Sequence, residues 1–539
     1  MKYLIIPLLF LLAPLASSQG WSTHLTIDGQ EADAWFGSNV NAGPDLDGDG
    51  LPDLLIGEGN ADGVAGTDVG KAYVLSSSDG SVIFMWEGEE AWDHFGGHVL
   101  ALGDVDADGV CDIGIAAPGH YGINNFGKVH VFSGATGLEV LFISGTFNNQ
   151  YLGAGMSRVG DIDGDGHADL VLGTEFAVPD AADYIAAFSG ATGLELWRTT
   201  WPTWGGQFGK QIAPIEDLDD DGIADLIVSA KRADIGGTNT GTVFLYSGAD
   251  GQFIDSFSGT EPGAELGDHI TSAGDVNGDG VADVIVGAMY ADPGGRADAG
   301  SVYVLSGADL SDELFRLDGP VSSDYMGRWI AGGLDWNADG IPDFACGAPG
   351  TTNEWSSALG AVYMFSGKDG SLFQTIAGTD PGGFWGGCIA ALDDVSGDGS
   401  ADLIISSRFA DLIAGVDSGQ VSVLASPGTF SFSVLGLSPG QPVTLSASDC
   451  RPNATVHPVY SLSGGGMTWI PDRFALALDN PAHNLPTITM NGAGSGFEIL
   501  YLPPHVPPGL NILWQAVEVW RNGGQNEYRV SNLLETTVQ

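Results

Sequence analysis

The nine residues Asp45-Leu46-Asp47-Gly48-Asp49-Gly50-Leu51-Pro52-Asp53 decide the reading of this chain, because the same pattern returns six more times. It recurs as DVDADGVCD from Asp104, DIDGDGHAD from Asp161, DLDDDGIAD from Asp217, DVNGDGVAD from Asp275, DWNADGIPD from Asp335 and DVSGDGSAD from Asp394. Successive starts lie 59, 57, 56, 58, 60 and 59 residues apart. Such regularity implies an array of like units, so the architecture can be argued from one of them.

About nine residues before each motif stands a bulky apolar residue followed by glycine, as in Phe36-Gly37, Phe95-Gly96, Phe208-Gly209 and Met326-Gly327. After it comes a short apolar run such as Leu54-Leu55-Ile56, then a Gly-rich loop and an alternating segment such as Lys128 to Phe132 followed by Ser133-Gly134. A further segment, for example Ser371 to Ile376, closes the unit. Four short strands and no amphipathic helix make one small antiparallel sheet per repeat. Seven such sheets set radially predict an all-β fold, a seven-bladed β-propeller over residues 19–427. The seventh unit stops after its third strand, near Val421 to Leu424, and Leu25 to Ile27 sits before Trp35-Phe36-Gly37 as a fourth strand would. The start of the chain is therefore expected to complete the last blade, which removes the exposed edges of an open ring.

Within each motif, oxygen-bearing side chains occupy positions 1, 3, 5 and 9. These are Asp45, Asp47, Asp49 and Asp53; Asp104, Asp106, Asp108 and Asp112; Asp161, Asp163, Asp165 and Asp169; and Asp217, Asp219, Asp221 and Asp225. The last three loops carry Asp275, Asn277, Asp279 and Asp283; Asp335, Asn337, Asp339 and Asp343; and Asp394, Ser396, Asp398 and Asp402. Asp and Gly favour turns on their own account. Yet 25 of these 28 side chains are Asp and the other three still carry oxygen, while four carboxylates in nine residues repel one another unless a cation neutralises them. Alternate positions converge on one side of a tight turn, which suits Ca2+ with its six to eight oxygen ligands better than strictly octahedral Mg2+. An EF-hand would need Glu at position 12, where this chain has the apolar strand residues Ile56, Ile115, Leu172, Val228, Val286, Cys346 and Ile405. Up to seven structural Ca2+ ions are expected.

Over about residues 22–426 the chain resembles the FG-GAP repeats of the integrin alpha-chain propeller and of many exported bacterial proteins. Phe95-Gly96 with Ala116-Ala117-Pro118, and Met326-Gly327 with Gly347-Ala348-Pro349, carry the likeness most literally. The resemblance implies calcium-binding loops and suggests adhesion.

With 69 acidic and 17 basic residues, a net charge of −52, the chain repels phosphate backbones and anionic lipid, so no nucleic-acid partner is expected. Residues 1–18, with Lys2, the apolar run from Tyr3 to Leu15 and the small residues Ala16-Ser17-Ser18, read as a signal peptide and imply export. No later run approaches the length of a membrane span. Cys111, Cys346, Cys388 and Cys450 are too sparse for a disulfide scaffold; they read as small buried residues, with a Cys346 to Cys388 bridge left open. Residues 428–539 lose the repeat, and their alternating runs between Pro-Gly turns suggest a β-sandwich module. Asn453-Ala454-Thr455 is a glycosylation sequon.

The chain carries no HExxH, GxSxG or phosphate-loop pattern. His94 and His98 beside the Phe95-Gly96 corner read as packed or solvent-facing, and Trp197, Trp201 and Trp204 as blade packing or a sugar platform. The combined expectation is no enzyme but a secreted or cell-surface calcium-binding propeller that binds an extracellular protein or glycan. The alternative is a secreted carbohydrate-active enzyme of lyase type, which a deep pocket with convergent carboxylates or histidines opposite the loops would favour.

Overall fold

The computed structural model of the chain describes residues 21–119, 125–175, 183–201, 205–337, 339–350, 358–397, 400–412 and 414–426, and beyond these only the backbone of nine strands. The predicted leader, Trp204, Asp398, Cys450 and the Asn453 sequon lie outside the described residues. Among the described residues, helix is confined to one 3-10 turn, Pro293–Gly295, and no helix is long and apolar enough to cross a membrane.

Seven four-stranded antiparallel sheets form the seven blades of a β-propeller. The first runs Asn39–Ala42, Leu54–Glu58, Lys71–Leu75 and Val82–Glu87 from the centre outward, and the other blades repeat that order. Inner strands contact one another around the ring, so Asn39–Ala42 meets both His98–Gly103 of the second blade and Ile389–Leu392 of the seventh. As expected, the last blade closes with the start of the chain. Ser22–Asp28 lies antiparallel to Gln420–Ala425, pairing Leu25 with Val423 and Ile27 with Val421.

The second strand of each blade is buried on both faces, which is why it reads as an unbroken apolar run rather than an alternation. Leu54 and Ile56 pack with Ile404, Val421 and Val423 of the last blade, whereas Leu55 between them packs with Ile113 and Ile115 of the second. The core is thus a set of blade-to-blade seams and not a single centre. Outer strands bury much less, and Val82 and Leu372 stand exposed.

The apolar-Gly corner stitches neighbouring blades. The Phe95 amide donates to Val69 of the previous blade at 3.0 Å, and the Gly96 amide donates to Ala116 of its own blade at 3.0 Å. Gly96 has φ +86°, and an added Cβ would lie 2.2 Å from the Lys71 carbonyl oxygen, so only glycine fits. The bulky partner fills the seam. Phe208 is fully buried against Trp201, Phe244 and Tyr246, with Trp201 stacked at 5.6 Å, and the Trp197 indole N–H donates to the Gly248 carbonyl at 3.0 Å. The described tryptophans of that cluster therefore pack between blades. Phe208→Ala is expected to cost about 3–5 kcal/mol, read as a lower denaturant midpoint; a loss below about 1 kcal/mol would contradict this packing.

The chain divides at about Ser431 into two compact units. In the second, Ser431–Leu435, Pro442–Ser448 and Gly496–Tyr501 form a three-stranded sheet. Thr455–Ser461 pairs with Asn511–Asn522 at the heart of a six-stranded one. Cys111, Cys346 and Cys388 are free thiols, the last two buried, so the Cys346 to Cys388 bridge does not form. The Cys388 Sγ instead donates to the Ser38 carbonyl at 3.1 Å.

Candidate metal centres

Each acidic loop joins the inner strand of a blade to its second strand, which places all seven on one face of the ring. The aspartate at position 9 is fully buried in every blade. One of its oxygens accepts the amide of position 2, at 2.7 Å from Leu46, Val105, Ile162 and Leu218, 2.9 Å from Val276 and Trp336, and 3.0 Å from Val395. In six blades the other oxygen accepts an amide just after the third strand, from Gly190 at 2.8 Å to Gly367 at 3.2 Å. In the first blade that oxygen of Asp53 has no hydrogen-bond partner. In the six other blades this carboxylate pins loop, second strand and third strand together. Burial, reinforced by the neighbouring Asp47, Asp45 and Asp49, raises Asp53 to about 7, and burial is also the main cause that raises Asp343 to about 7 and Asp225 to about 6. A nearby cation would reverse that direction.

Positions 1, 3 and 5 are more exposed and shape the turn. Asp45 accepts the Gly48 amide at 2.7 Å on one oxygen and the Gly50 amide at 2.9 Å on the other. Asp47 accepts the amide of Asp49 at 3.0 Å, and Asp49 that of Leu51 at 2.9 Å. Gly50 sits at φ +90°, a left-handed conformation that lets its amide turn back to Asp45. Each carboxylate spends only part of its acceptor capacity on these bonds, since two oxygens offer about four lone-pair sites.

Carboxylate oxygens of these positions converge. Ligand atoms of Asp45, Asp47 and Asp49, and likewise of Asp104, Asp106 and Asp108, lie within 4.8 Å of one another. The third and fourth loops gather Asp161, Asp163 and Asp169, and Asp217, Asp219 and Asp225, so there the buried position-9 residue joins the cluster. Two oxygens on opposite sides of one Ca2+ stand about 4.6–5.2 Å apart, so the spacing and the all-oxygen chemistry fit that ion. The fifth and sixth loops are arranged differently. The Asn277 amide nitrogen donates to Asp279 at 2.9 Å, and that of Asn337 to Asp343 at 2.8 Å, so a neutral amide partly offsets the carboxylate charge. In the seventh, the Ser396 hydroxyl donates to Asp394 at 3.2 Å.

One contributor was not singled out from sequence. The serine of the recurrent Ser-Gly after the third strand reaches the position-5 carboxylate: Ser133 to Asp108 at 3.4 Å, Ser247 to Asp221 at 3.2 Å and Ser366 to Asp339 at 3.2 Å. Its signal was the fixed placement of Ser-Gly in the repeat.

The two kinds of aspartate should separate by mutation. Asp169→Ala strips the acceptor from the part-buried amide of Ile162 and the buried amide of Gly190 and is expected to destabilise the cation-free protein by about 1–3 kcal/mol per amide. Asp163→Ala should lower stability only when cation is present. Equal losses for both variants after chelation would contradict the division.

The fold and its seven acidic hairpins define an integrin-alpha-like FG-GAP propeller. The FG-GAP repeat model matches residues 36–75 and 269–305, and the FG-GAP-like repeat model matches 217–286. Phosphatidylinositol-glycan-specific phospholipase D of Bos taurus is 38% identical over 186 residues, 32% of this chain and 22% of that protein. Integrin alpha-5 of Xenopus laevis is 35% identical over 161 residues, 27% of this chain and 15% of that one. Integrin alpha pat-2 of Caenorhabditis briggsae is 26% identical over 294 residues, 51% of this chain and 19% of that one. The chain thus matches about a fifth of the length of these relatives.

Proposed function

We propose that this is an exported, calcium-stabilised propeller that acts outside the cell as a binding or adhesion protein for a protein or glycan. The observation that carries it is the set of carboxylate trios repeated at one position of successive blades. A bound Ca2+ supplies positive charge that offsets two of the three negative charges of each trio. The chain's own part is to hold the donors: glycine at position 6 returns the loop to Asp45 and its equivalents, and the buried position-9 residue anchors the loop to two strands. On this reading residues 1–18 direct export, and residues 428–539 form a β-sandwich module appended to the propeller. Likeness to integrin alpha chains supports adhesion, and the strong negative charge supports partners that are neutral or basic.

Calorimetric titration of CaCl2 into chelator-stripped protein should reveal several sites, with Asp47→Ala removing one. Protein pull-down and a glycan array should then show capture without turnover. The alternative is a secreted carbohydrate-active enzyme of lyase type, which two observations favour: His98 and His269 line one cavity away from the acidic loops, and the phospholipase D relatives are named as enzymes. Depolymerisation of a polysaccharide by the purified chain would favour it and overturn the binding reading.

A further inference from the structure

The first and third strands of a blade run from the face opposite the acidic loops, and the second ends there. On that face a cavity of about 370 Å³ is lined by the beginnings of inner strands, and it shares His98, Gln211 and Trp329 with a cavity of about 290 Å³ that runs along the central channel. Together they form one funnel, within the size range of small-ligand sites.

Its chemistry is unlike the rest of this acidic protein. His269 is nine-tenths buried and lines the channel together with His98, and the Nδ1 of each is buried without a hydrogen-bond partner. Burial pushes both imidazoles down to about 4, so at neutral pH each is uncharged and offers one N–H and one lone pair. Trp329 is half-buried beside them, its ring 4.5 Å from that of His269. Gln211 adds an amide to the wall. The charged pair at the mouth is internally compensated, because Lys210 donates to Glu175 at 2.6 Å, and Arg158 is the one charged side chain that lines the deeper cavity.

We infer that this funnel binds a single neutral pyranose, the terminal sugar of a glycan, with the ring's C–H face on Trp329 and its hydroxyls on His98, His269 and Gln211. The wall offers an aromatic surface, neutral groups that both donate and accept, and the donor-only guanidinium of Arg158, a set that suits the apolar face and the hydroxyls of a sugar ring. A metal ion fits less well. Neither histidine belongs to a group of three or more metal-ligating side chains among the described residues. The inference deepens the binding reading above and rests on it. It places the ligand at the ring's centre, away from the acidic loops.

The test uses the full chain with calcium and the methyl glycosides of glucose, galactose, mannose and N-acetylglucosamine, observed by saturation-transfer NMR and tryptophan fluorescence. At least one glycoside is expected to bind and quench. Gln211→Ala should weaken it about tenfold, and His269→Phe, which leaves no ring nitrogen to bond, should abolish it. Should His269→Phe fail to fold, His98→Gln tests the same wall. Absence of binding by all four glycosides overturns the inference, as does histidine-dependent Zn2+ binding without glycoside binding. If the chain still captures a protein or glycan in pull-down while no glycoside binds, the channel assignment falls and the adhesion reading stands. If a glycoside binds but no macromolecule is captured, the reverse holds.

Discussion

Removing divalent cations with a chelator is expected to lower the thermal midpoint of the propeller by about 10 °C or more, and CaCl2 added in excess of the chelator should restore it. A cation present at a hundred times its dissociation constant stabilises the folded state by about 2.7 kcal/mol per site. Even the four loops whose carboxylates already converge would then contribute on the scale of a whole domain's net stability, about 5–15 kcal/mol. The stripped loops also keep buried position-9 carboxylates whose ionised form burial disfavours, as the raised Asp53 and Asp343 show. Differential scanning calorimetry in CaCl2, MgCl2 and chelator measures the effect. A midpoint that does not move would remove the case for occupied sites, and equal rescue by MgCl2 would remove the case for calcium.

Deleting residues 21–28 is expected to do comparable damage from the opposite direction. Ser22–Asp28 contributes six registered residue pairs to the last blade, and Gln420 also donates from its side chain to Asp28 at 2.8 Å. Leu25 and Ile27 pack on the cluster that joins the last blade to the first. Several ladder hydrogen bonds at about 0.5–1.5 kcal/mol each, with two aliphatic side chains at about 1.5–3 kcal/mol each, amount to much of a domain's margin. The deletion would also leave Gln420–Ala425 as an open edge able to pair with other chains. Size-exclusion chromatography and circular dichroism should show aggregation and a lowered midpoint, with Ile27→Asp as a milder version. A monomeric deletion variant with an unchanged midpoint would show that the ring does not depend on this closure.

The architecture was legible because the repeat reports it seven times over. Leu54-Leu55-Ile56 and its equivalents are read as fully buried strands, and the unpaired fourth strand of the last unit is supplied by Leu25 to Ile27. The site was legible in its residue types but not in its division of labour. From spacing alone positions 1, 3, 5 and 9 look alike, whereas position 9 is a buried anchor and the others are more exposed turn-formers, a difference created by contacts with the third strand more than twenty residues on. The substitution at Asn277 looked like an exchange of one oxygen for another; its amide turns out to donate to the neighbouring carboxylates. The funnel was not legible at all. His98 and His269 are far apart in sequence, and only ring closure places both on one axis.

Closure by the first strand also imposes an order on synthesis. Thr26 and Ser422 are 396 positions apart, so at about 5–20 residues per second the leading strand waits roughly 20–80 s for its mate to be translated. Six blades can form while it waits, each from contacts made within a single hairpin array, but the seventh must recruit a segment from the far end of the polypeptide. The slow, entropically costly step of maturation is therefore the last one, and a nascent chain with its first strand unclaimed is the species most in need of a chaperone.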